Sequence, residues 1–193
     1  MKICVFGAAS DRIDKAFIDA VEKIGEEIAK RGHSLVFGGG ASGLMGAAAR
    51  GFSRAGGSIL GVAPRFFDTD GVLYDRCTEF IYTDTMRQRK QILEERSDAF
   101  IVTPGGVGTF DEFFEIITLK QLGRHSKPVV IFNVANFFDA LENLMEKALS
   151  DKFLSPKTLE LYKITDSINE VIDYLESYKE KEISVKDTKY IRG

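Results

Sequence analysis

Several residue types that mark common protein classes are scarce or absent in this chain of 193 residues. It has no tryptophan, four prolines, two histidines and two cysteines. Cys4 and Cys77 lie far apart, with no Cys-x-x-Cys spacing and no histidine beside them to complete a zinc site. Cys4 lies within an apolar run, as a small core residue would. We therefore predict a reduced protein without a zinc site.

Long runs of one kind of residue are also missing. No apolar stretch is long enough to span a bilayer, which predicts that the protein has no membrane partner. The net charge is -3 and no long basic run occurs, which argues against nucleic acid as a partner. No signal-peptide pattern opens the chain, because Met1-Lys2 leads directly into a strand-length apolar run, so we expect a cytoplasmic location.

Residues that form catalytic triads or metal clusters follow no recognisable arrangement. His33 and His125 form no evident pair, and they complete no Ser-His-Asp or Cys-His set. Asp68, Asp70 and Asp75 share a loop, but their spacing fits no calcium-binding loop. The sequence therefore predicts no metal site.

What the chain does contain is a regular alternation of short apolar runs and helical patterns. This alternation predicts an α/β fold, a doubly wound parallel sheet with helices on both faces, in a single domain. From residue 179 the charge density rises and the apolar period fails, so we assign 1–178 to the domain and 179–193 to a charged C-terminal tail. Predicted strands cover residues 3–6, 34–37, 58–62, 79–82, 98–102, 128–132 and 161–164, and predicted helices about 14–31, 47–55, 84–96, 110–123, 137–149 and 168–178.

The most informative stretch is the segment 104–112, with the sequence PGGVGTFDE. It follows a buried strand pattern and precedes a helical one, so its glycines lie where the strand turns into the helix. Glycine lets the backbone bend sharply and lets a ligand approach the main chain. The N–H groups and dipole of the following helix attract an anion. The segment predicts a phosphate site that includes Gly105, Gly106, Gly108 and Thr109.

Simpler interpretations of this segment remain open. It is not a Walker loop, because no Gly-Lys-Ser/Thr follows, and it lacks the Gly-x-Gly-x-x-Gly pattern. The glycines could form only a tight turn, and Thr109 with Glu112 predicts an N-cap and a capping box. A capping role for Glu112 is compatible with chemistry, since a carboxylate beside a phosphate site can act as a base or stabilise developing positive charge.

Two further loops of small residues follow predicted strands, at 7–10 and 38–46. In a parallel sheet the carboxyl ends of the strands lie on one rim, where ligands bind. We expect all three loops to open on that rim. The segment 63–77 has no clear period, and we place it on the ligand side as well.

Arg89 has two interpretations that spacing alone does not separate. It shares one side of a predicted helix with Met86 and Leu93. It could be a solvated arginine on a mixed face. It could instead point at the rim and pair with a phosphate or with Glu112.

Taken together, these motifs resemble the Lonely Guy family of cytokinin riboside 5'-monophosphate phosphoribohydrolases, which are often mislabelled lysine decarboxylases. Residues 104–112 match the family signature Pro-Gly-Gly-x-Gly-Thr-x-x-Glu, and residues 38–46 and 121–128 are also similar to family segments. The similarity extends over roughly residues 3–149, which is most of the chain.

The resemblance implies a Rossmann-like fold, a homodimer and hydrolysis of the N-glycosidic bond of an adenosine-type nucleoside 5'-monophosphate. The products would be a free base and ribose 5-phosphate. It implies Arg89, in a Met-x-x-Arg-Lys motif, and Glu112 as the catalytic pair, with no cofactor. A decarboxylase would need a lysine for pyridoxal phosphate, and none stands in a convincing position. The residues implied in binding the substrate or its phosphate are Gly39, Gly40, Gly43, Met45, Met86, Lys90, Gly105, Gly106, Gly108 and Thr109.

The chain departs from the family pattern at two places, which leaves the base open. Arg87 stands where the family often has histidine, and residues 7–10 read Gly-Ala-Ala-Ser where Gly-Ser-Ser or Gly-Ser-Ala is common. The substrate could be AMP or an isopentenyl-type derivative. Phe66, Phe67 and Phe110 could line a pocket for an apolar N6 group, or could belong to the core.

An alternative function comes from another class of protein. Related Rossmann-like proteins with a similar glycine signature resemble carriers or regulators that bind a phosphorylated ligand, such as a nucleotide or molybdenum cofactor, without cleaving it. The presence of both Arg89 and Glu112 favours the enzyme, because a carrier has no need of that pair.

Overall fold

Seven parallel strands form one sheet in a computed structural model that describes residues 1–180. In space the strands follow the order β4-β3-β2-β1-β5-β6-β7, and every neighbouring pair is parallel. The predicted α/β fold with a doubly wound parallel sheet is confirmed. The strands are β1 (Lys2–Phe6), β2 (Ser34–Phe37), β3 (Ile59–Pro64), β4 (Glu79–Thr83), β5 (Ala99–Val102), β6 (Val129–Phe132) and β7 (Lys163–Thr165).

Helices connect the strands and follow the predicted order. One short helix, α6, was not predicted, because four residues are too few to show a helical period. The helices are α1 (Lys15–Lys30), α2 (Gly43–Arg54), α3 (Met86–Glu95), α4 (Val107–Gln121), α5 (Asp139–Ser150), α6 (Pro156–Leu159) and α7 (Ile168–Ser177). The domain boundary at residue 178 stays a prediction, and the proposed tail beyond residue 180 lies outside the described residues.

The two faces of the sheet carry different helices, because successive strand residues point to opposite sides. Ile3 and Val5 of β1 pack on one face with α1, α2 and α7. Cys4 and Phe6 of the same strand pack on the other face with α3, α4 and α5. Cys4 is fully buried as a free thiol, as the apolar pattern around it predicts. The helices therefore cover both faces, as expected.

Helix α4 begins earlier than the capping pattern predicts. Its first residue is Val107, and the extended Gly106 is its N-cap, so Thr109 lies inside the first turn. The predicted N-cap at Thr109 and its capping box with Glu112 are therefore wrong. Gly106 offers no side chain to the first N–H groups of the helix, so the helix N-terminus has no side-chain cap.

The strand order reverses at the centre of the sheet, where β1 pairs with both β2 and β5. The chain leaves β1 at Phe6 and β5 at Val102, and the two loops that follow run side by side, since Ala8 N donates to Pro104 O over 3.0 Å. A reversal of this kind is where open parallel sheets bind ligands. Among residues 1–180, no helix is both long and apolar enough to cross a bilayer.

Candidate active site

A cavity of about 510 Å³ opens at the carboxyl ends of the central strands. Its lining includes residues 7–9 from the loop after β1, Ser42 and Met45 from the end of the loop after β2 and the first turn of α2, and Gly108 and Thr109 from the first turn of α4, which follows β5. The prediction that the three small-residue loops share one rim is confirmed. They meet because parallel strands end on the same side of the sheet.

A buried ion pair forms one wall of this cavity. Nη1 of Arg89 on α3 donates to Oε1 of Glu112 on α4 over 2.7 Å, and Nε of Arg89 donates to the carbonyl oxygen of Val62 over 3.3 Å. Only 6% of Arg89 and 8% of Glu112 are exposed, and both line the cavity. Of the two interpretations of Arg89, the solvated one is therefore wrong. Arg89 faces the rim and pairs with Glu112.

Gly38 makes room for this arrangement. A Cβ atom at Gly38 would overlap Nη2 of Arg89 and would lie 3.1 Å from Sδ of Met45. The guanidinium therefore rests against the main chain at the end of β2, which only glycine permits. Gly38 was not among the predicted binding residues. The run of three glycines after β2, of which it is the first, was the feature of the sequence that could have indicated it.

Burial sets the electrostatics of Glu112. Removal from water raises the pKa of the Glu112 carboxyl above its ordinary value, and the adjacent Arg89 offsets part of this effect. The charge of Asp111 raises the same pKa further. A carboxylate with a raised pKa holds a proton more strongly than an exposed one, which suits a group that must accept a proton or face a cation.

The N-terminus of α4 is open to an anion. Among residues 1–180, no acceptor binds the N–H groups of Val107, Gly108 or Thr109. Cβ atoms at Gly106 and Gly108 would meet nothing within 4 Å, so space remains above the loop. Gly105, in contrast, is needed for packing, because a Cβ there would overlap Oγ1 of Thr109. Unpaired N–H groups at the start of a helix form an anion site.

The N-terminus of α2 is closed by the chain itself. Gly43 N donates to Oδ1 of Asp11 over 2.6 Å. The N–H groups of Leu44 and Met45 donate to the carbonyl oxygen of Ala8 over 2.8 and 3.3 Å. Gly43 has a φ of 60°, and its backbone lies against Ala8 and the residues that follow it. Asp11 and Ala8 both belong to the loop after β1, so that loop is joined to the start of α2.

A segment between β3 and β4, here called the strap (residues 65–75), covers one side of the cavity. Its backbone pairs with the glycine loop, since Ala41 N donates to Val72 O over 2.9 Å and Tyr74 N donates to Gly39 O over 2.8 Å. Phe67, Val72 and Leu73 line the cavity. The placement of this segment on the ligand side is confirmed.

Tyr74 fixes the strap to the protein body. Its ring packs edge-on against Phe37 with ring centroids 6.3 Å apart, and its hydroxyl lies 2.8 Å from Oγ of Ser53. The other two phenylalanines named as pocket candidates differ from Phe67. Phe66 is 62% exposed and does not line the cavity, and Phe110 packs against Phe138 in the core.

The predicted binding residues divide into two groups. Those that line the cavity beside Arg89 and Glu112 are Gly40, Met45, Met86, Gly108 and Thr109. Those outside its lining are Gly39, Gly43, Lys90, Gly105 and Gly106.

Lys90 has partners that explain its place outside the lining. Its Nζ lies 3.0 Å from Asp111 and 2.6 Å from Glu115, so it joins α3 to α4 beside the Arg89–Glu112 pair. The sequence did not single out Asp111, which lines the cavity. Its position directly before Glu112, just after the glycine-rich segment, could have indicated that it lies at the cavity.

Metal ligands and cofactor lysines are not gathered at this cavity. Among residues 1–180, no three His, Cys, Asp or Glu side chains are placed to hold a metal ion. His125 is half-buried, its Nε2 lies 2.9 Å from Ile116 O, and burial lowers its pKa to about 4. The buried Lys120 donates to Leu161 O over 2.8 Å. It lies about 20 Å along α4 from Val107, far from the rim.

Comparisons with known proteins give consistent results. Residues 45–175 match a family model described as a possible lysine decarboxylase. A cytokinin riboside 5'-monophosphate phosphoribohydrolase of Arabidopsis thaliana is 34% identical over 178 residues, which cover 92% of this chain and 78% of that protein. A probable cytokinin riboside 5'-monophosphate phosphoribohydrolase of Oryza sativa subsp. japonica is 34% identical over 177 residues, covering 92% and 71%.

Solved structures with the same architecture include two proteins that bind molybdenum cofactor. The molybdenum cofactor binding protein from Rippkaea orientalis has a TM-score of 0.70 and 22% identity, with coverage of 91% of this chain and 95% of that one. The molybdenum cofactor carrier protein from Chlamydomonas reinhardtii has a TM-score of 0.68 and 21% identity, with the same coverage. At these identities the likeness concerns the Rossmann-like fold alone.

Proposed function

The chain belongs to the Lonely Guy family, and on that premise we propose that it hydrolyses the N-glycosidic bond of an adenosine-type nucleoside 5'-monophosphate. The products are a free base and ribose 5-phosphate. The family's named relatives are cytokinin riboside 5'-monophosphate phosphoribohydrolases, and this chain covers more than two thirds of those compared. AMP and a cytokinin riboside monophosphate are the two candidate substrates.

One observation carries the proposal: a buried Arg89–Glu112 pair and the open N-terminus of α4 face the same cavity. The helix N-terminus supplies a place for the phosphate, and Glu112 supplies a carboxylate near the sugar. Glu112 lies five residues after Val107, about 7 Å along the helix.

The reaction breaks the bond between C1' of the ribose and the base nitrogen. The base leaves with the bonding electrons and takes up a proton, and the sugar passes through an oxocarbenium-like state. Glu112 stabilises this cation or accepts a proton from the water whose oxygen bonds to C1'. Arg89 holds Glu112 in place and faces the ribose phosphate. No step in this scheme requires a metal or an organic cofactor.

The phosphate supplies binding energy away from the reacting bond. Held by the N–H groups of Val107, Gly108 and Thr109, it fixes the sugar so that C1' stays near Glu112. A nucleoside without phosphate should therefore be a much poorer substrate. Equal turnover of the nucleoside and its monophosphate would refute this part of the proposal.

The decarboxylase description of the matching family model finds little support at this cavity. Within residues 1–180, no lysine lines it. A pyridoxal phosphate enzyme binds its cofactor through a lysine. By family resemblance we further propose a cytoplasmic homodimer with no cofactor.

The decisive experiment is incubation of the purified protein with AMP and with its isopentenyl derivative, followed by chromatography of the free base. Glu112→Gln is measured alongside, and Glu115→Gln, one turn further on α4 and outside the cavity lining, is its matched control. We expect base release by the wild type and by the control. We expect a loss of about 100-fold or more in Glu112→Gln, with nucleotide binding retained.

Two other outcomes would redirect the assignment. If the wild type binds the nucleotide but releases no base, the carrier or regulator alternative replaces the enzyme. If Glu112→Gln releases base at the wild-type rate, Glu112 is a binding or structural residue and another group performs the chemistry.

A further inference from the structure

Two ion pairs lie side by side between α3 and α4, and only one of them is buried in the cavity wall. Arg89 and Glu112 form the buried pair. Their chain neighbours Lys90 and Asp111 form the second pair, with Nζ 3.0 Å from Oδ2. The same Nζ lies 2.6 Å from Glu115, one turn further along α4. One ammonium group therefore serves two carboxylates, of which Asp111 lines the cavity and Glu115 does not.

Two buried side chains in the cavity wall have hydrogen-bonding groups left over. Nε and Nη1 of Arg89 bind Val62 O and Glu112. Its Nη2 lies beside Gly38 and has no acceptor among residues 1–180. Thr109 is 4% exposed, and its hydroxyl has no hydrogen-bond partner within the same residues. Because Arg89 and Thr109 both line the cavity, these groups indicate a ligand that accepts hydrogen bonds, as a phosphate does.

Asp111 carries a charge that would oppose such a ligand. It lies four residues after Val107, about 6 Å along α4 from the start of the helix. An unpaired carboxylate about 6 Å from a phosphate would weaken its binding by a factor of roughly three in water and roughly 100 at the dielectric constant of a protein surface. Because Lys90 contacts this carboxylate at 3.0 Å, Asp111 presents an ion pair to the cavity rather than a free charge.

We propose that Lys90 is a positioning residue that holds the Asp111 carboxylate in an ion pair at the cavity mouth, so that the anionic phosphate of the substrate can bind beside it. Lys90 itself lies outside the cavity lining and acts through Asp111. The inference rests on the proposed function for the phosphate site but not for the hydrolysis. It differs from the direct binding role that the family resemblance implies for Lys90, and a double substitution separates the two roles.

The first test measures binding of ribose 5-phosphate by titration calorimetry, which needs no turnover. Lys90→Met should weaken binding by roughly three- to 100-fold, because it leaves Asp111 unpaired. Adding Asp111→Asn removes the freed charge, so the affinity of the double variant should return to within about twofold of the wild type. If Lys90 instead contacts the phosphate directly, the double variant will bind as weakly as Lys90→Met, and the proposal is overturned.

Lys90→Met combined with Glu115→Gln is the matched control. It removes the other carboxylate that Lys90 contacts, which is farther from the start of α4 and outside the cavity lining. Binding should stay as weak as in Lys90→Met, and equal rescue by both double variants would refute a specific role for Asp111. If Lys90→Met does not fold, Asp111→Asn decides. It removes a negative charge and keeps the ammonium, so a loss of affinity in Asp111→Asn would refute the proposal.

A second readout follows the carboxyl of Glu112, which a merely structural change would not move in this pattern. The charged or titratable groups that act on it within residues 1–180 are Arg89 and Lys90 on α3, Asp111 on α4 and Cys4 on β1. Burial raises the pKa of Cys4, so its thiol stays neutral. Lys90→Met should raise the pKa of Glu112 further, and added Asp111→Asn should reverse that rise. A ¹³C NMR titration, assigned with Glu112→Gln, measures both changes, and an unchanged pKa in Lys90→Met would contradict the proposal.

The outcomes separate this inference from the proposed function. A protein that binds ribose 5-phosphate but releases no base from AMP loses the hydrolase assignment, while rescue by Asp111→Asn still supports the role of Lys90. Base release without rescue by Asp111→Asn keeps the hydrolase and refutes the positioning role. If the wild type does not bind ribose 5-phosphate, the phosphate site is wrong and the role of Lys90 is refuted with it.

Discussion

Nη1 of Arg89 and Oε1 of Glu112 lie 2.7 Å apart, and this contact joins α3 to α4 at the cavity wall. Both side chains are almost fully buried. A buried charge without its partner is strongly destabilising, so breaking this pair should lower the free energy of unfolding in addition to removing its proposed chemical role. Any substitution in it must therefore be measured for stability as well as for activity.

Replacing Arg89 should damage both properties. Arg89→Met leaves the Glu112 carboxylate buried without a partner, which should cost about 3–5 kcal/mol of unfolding free energy. Arg89→Lys should cost less but should still lose activity, because an ammonium group cannot reach Val62 O and Glu112 in the same fork geometry. Urea denaturation and base release measure the two effects. Arg87→Met, at an exposed position of the same helix, should change stability by less than about 0.5 kcal/mol.

The pH dependence of activity should show the raised pKa of Glu112. In the proposed mechanism the active form has an ionised Glu112 carboxylate, and burial raises the pKa of this group. Activity should therefore begin to fall, as the pH is lowered, at a higher pH than an exposed glutamate would give. The profile of kcat/KM against pH tests this. An acid limb at or below the pKa of an exposed glutamate would show that Glu112 is not the titrating group.

Gly38→Ala should reduce activity more than stability. The added Cβ would overlap Nη2 of Arg89, which is the end of a long side chain and can shift. The shift moves Arg89 away from Glu112, and we expect a loss of roughly 10- to 100-fold in kcat, as for other misplaced catalytic groups. Gly46→Ala is the contrasting variant, because its Cβ would overlap the backbone oxygen of Ala41. Thermal unfolding should show a larger loss of stability for Gly46→Ala than for Gly38→Ala.

Lys120 should give a pH-dependent contribution to stability. Burial lowers its pKa to about 8 in the folded protein, while an exposed lysine keeps the ordinary value of 10.5. Between these two pH values the unfolded chain binds more protons, so this group makes the unfolding free energy rise with pH, by at most about 3 kcal/mol. Below pH 8 its full destabilising cost remains.

Lys120→Met isolates that contribution. The stability of the variant relative to the wild type should be highest below pH 8 and should decline as the pH rises towards 10.5. Urea denaturation at several pH values measures the difference, which cancels the titration of other groups such as Tyr162. Lys147→Met, at an exposed position paired with Asp151, should show no such slope. A pH-independent difference for Lys120→Met would contradict a buried ammonium.

The sequence predicted the sheet and the rim because both depend on local patterns. Apolar runs, helical periods and glycines at strand ends are all visible over a few residues, and they placed the segment 104–112 at a strand end near the ligand. The capping role of Thr109 was wrong because a glycine at 106 can begin a helix without a side-chain cap. Local patterns therefore predicted the type and order of the strands and helices better than the residues at which they begin and end.

Contacts between distant parts of the chain were beyond such patterns. The choice between a solvated and a paired Arg89 depended on Glu112, 23 residues away, and on a carbonyl of β3. Asp11 likewise carries no signal in its own loop, because its partner Gly43 lies 32 residues later. The strap gave no period at all, since its backbone pairs with a loop rather than with a strand.

The strap has a consequence for how relatives of this protein can diverge. Main-chain hydrogen bonds to the glycine loop and the buried Tyr74 set its position, whereas Phe67, Val72 and Leu73 provide the surface it shows to the cavity. Different residues thus determine where the strap lies and which side chains it presents to the cavity. A few exchanges among these three side chains could change the accepted base while the remainder of the fold and the Arg89–Glu112 pair stay as they are. Under the proposed function, substrate preference can therefore change at these three positions without altering the residues that hold the strap or the Arg89–Glu112 pair.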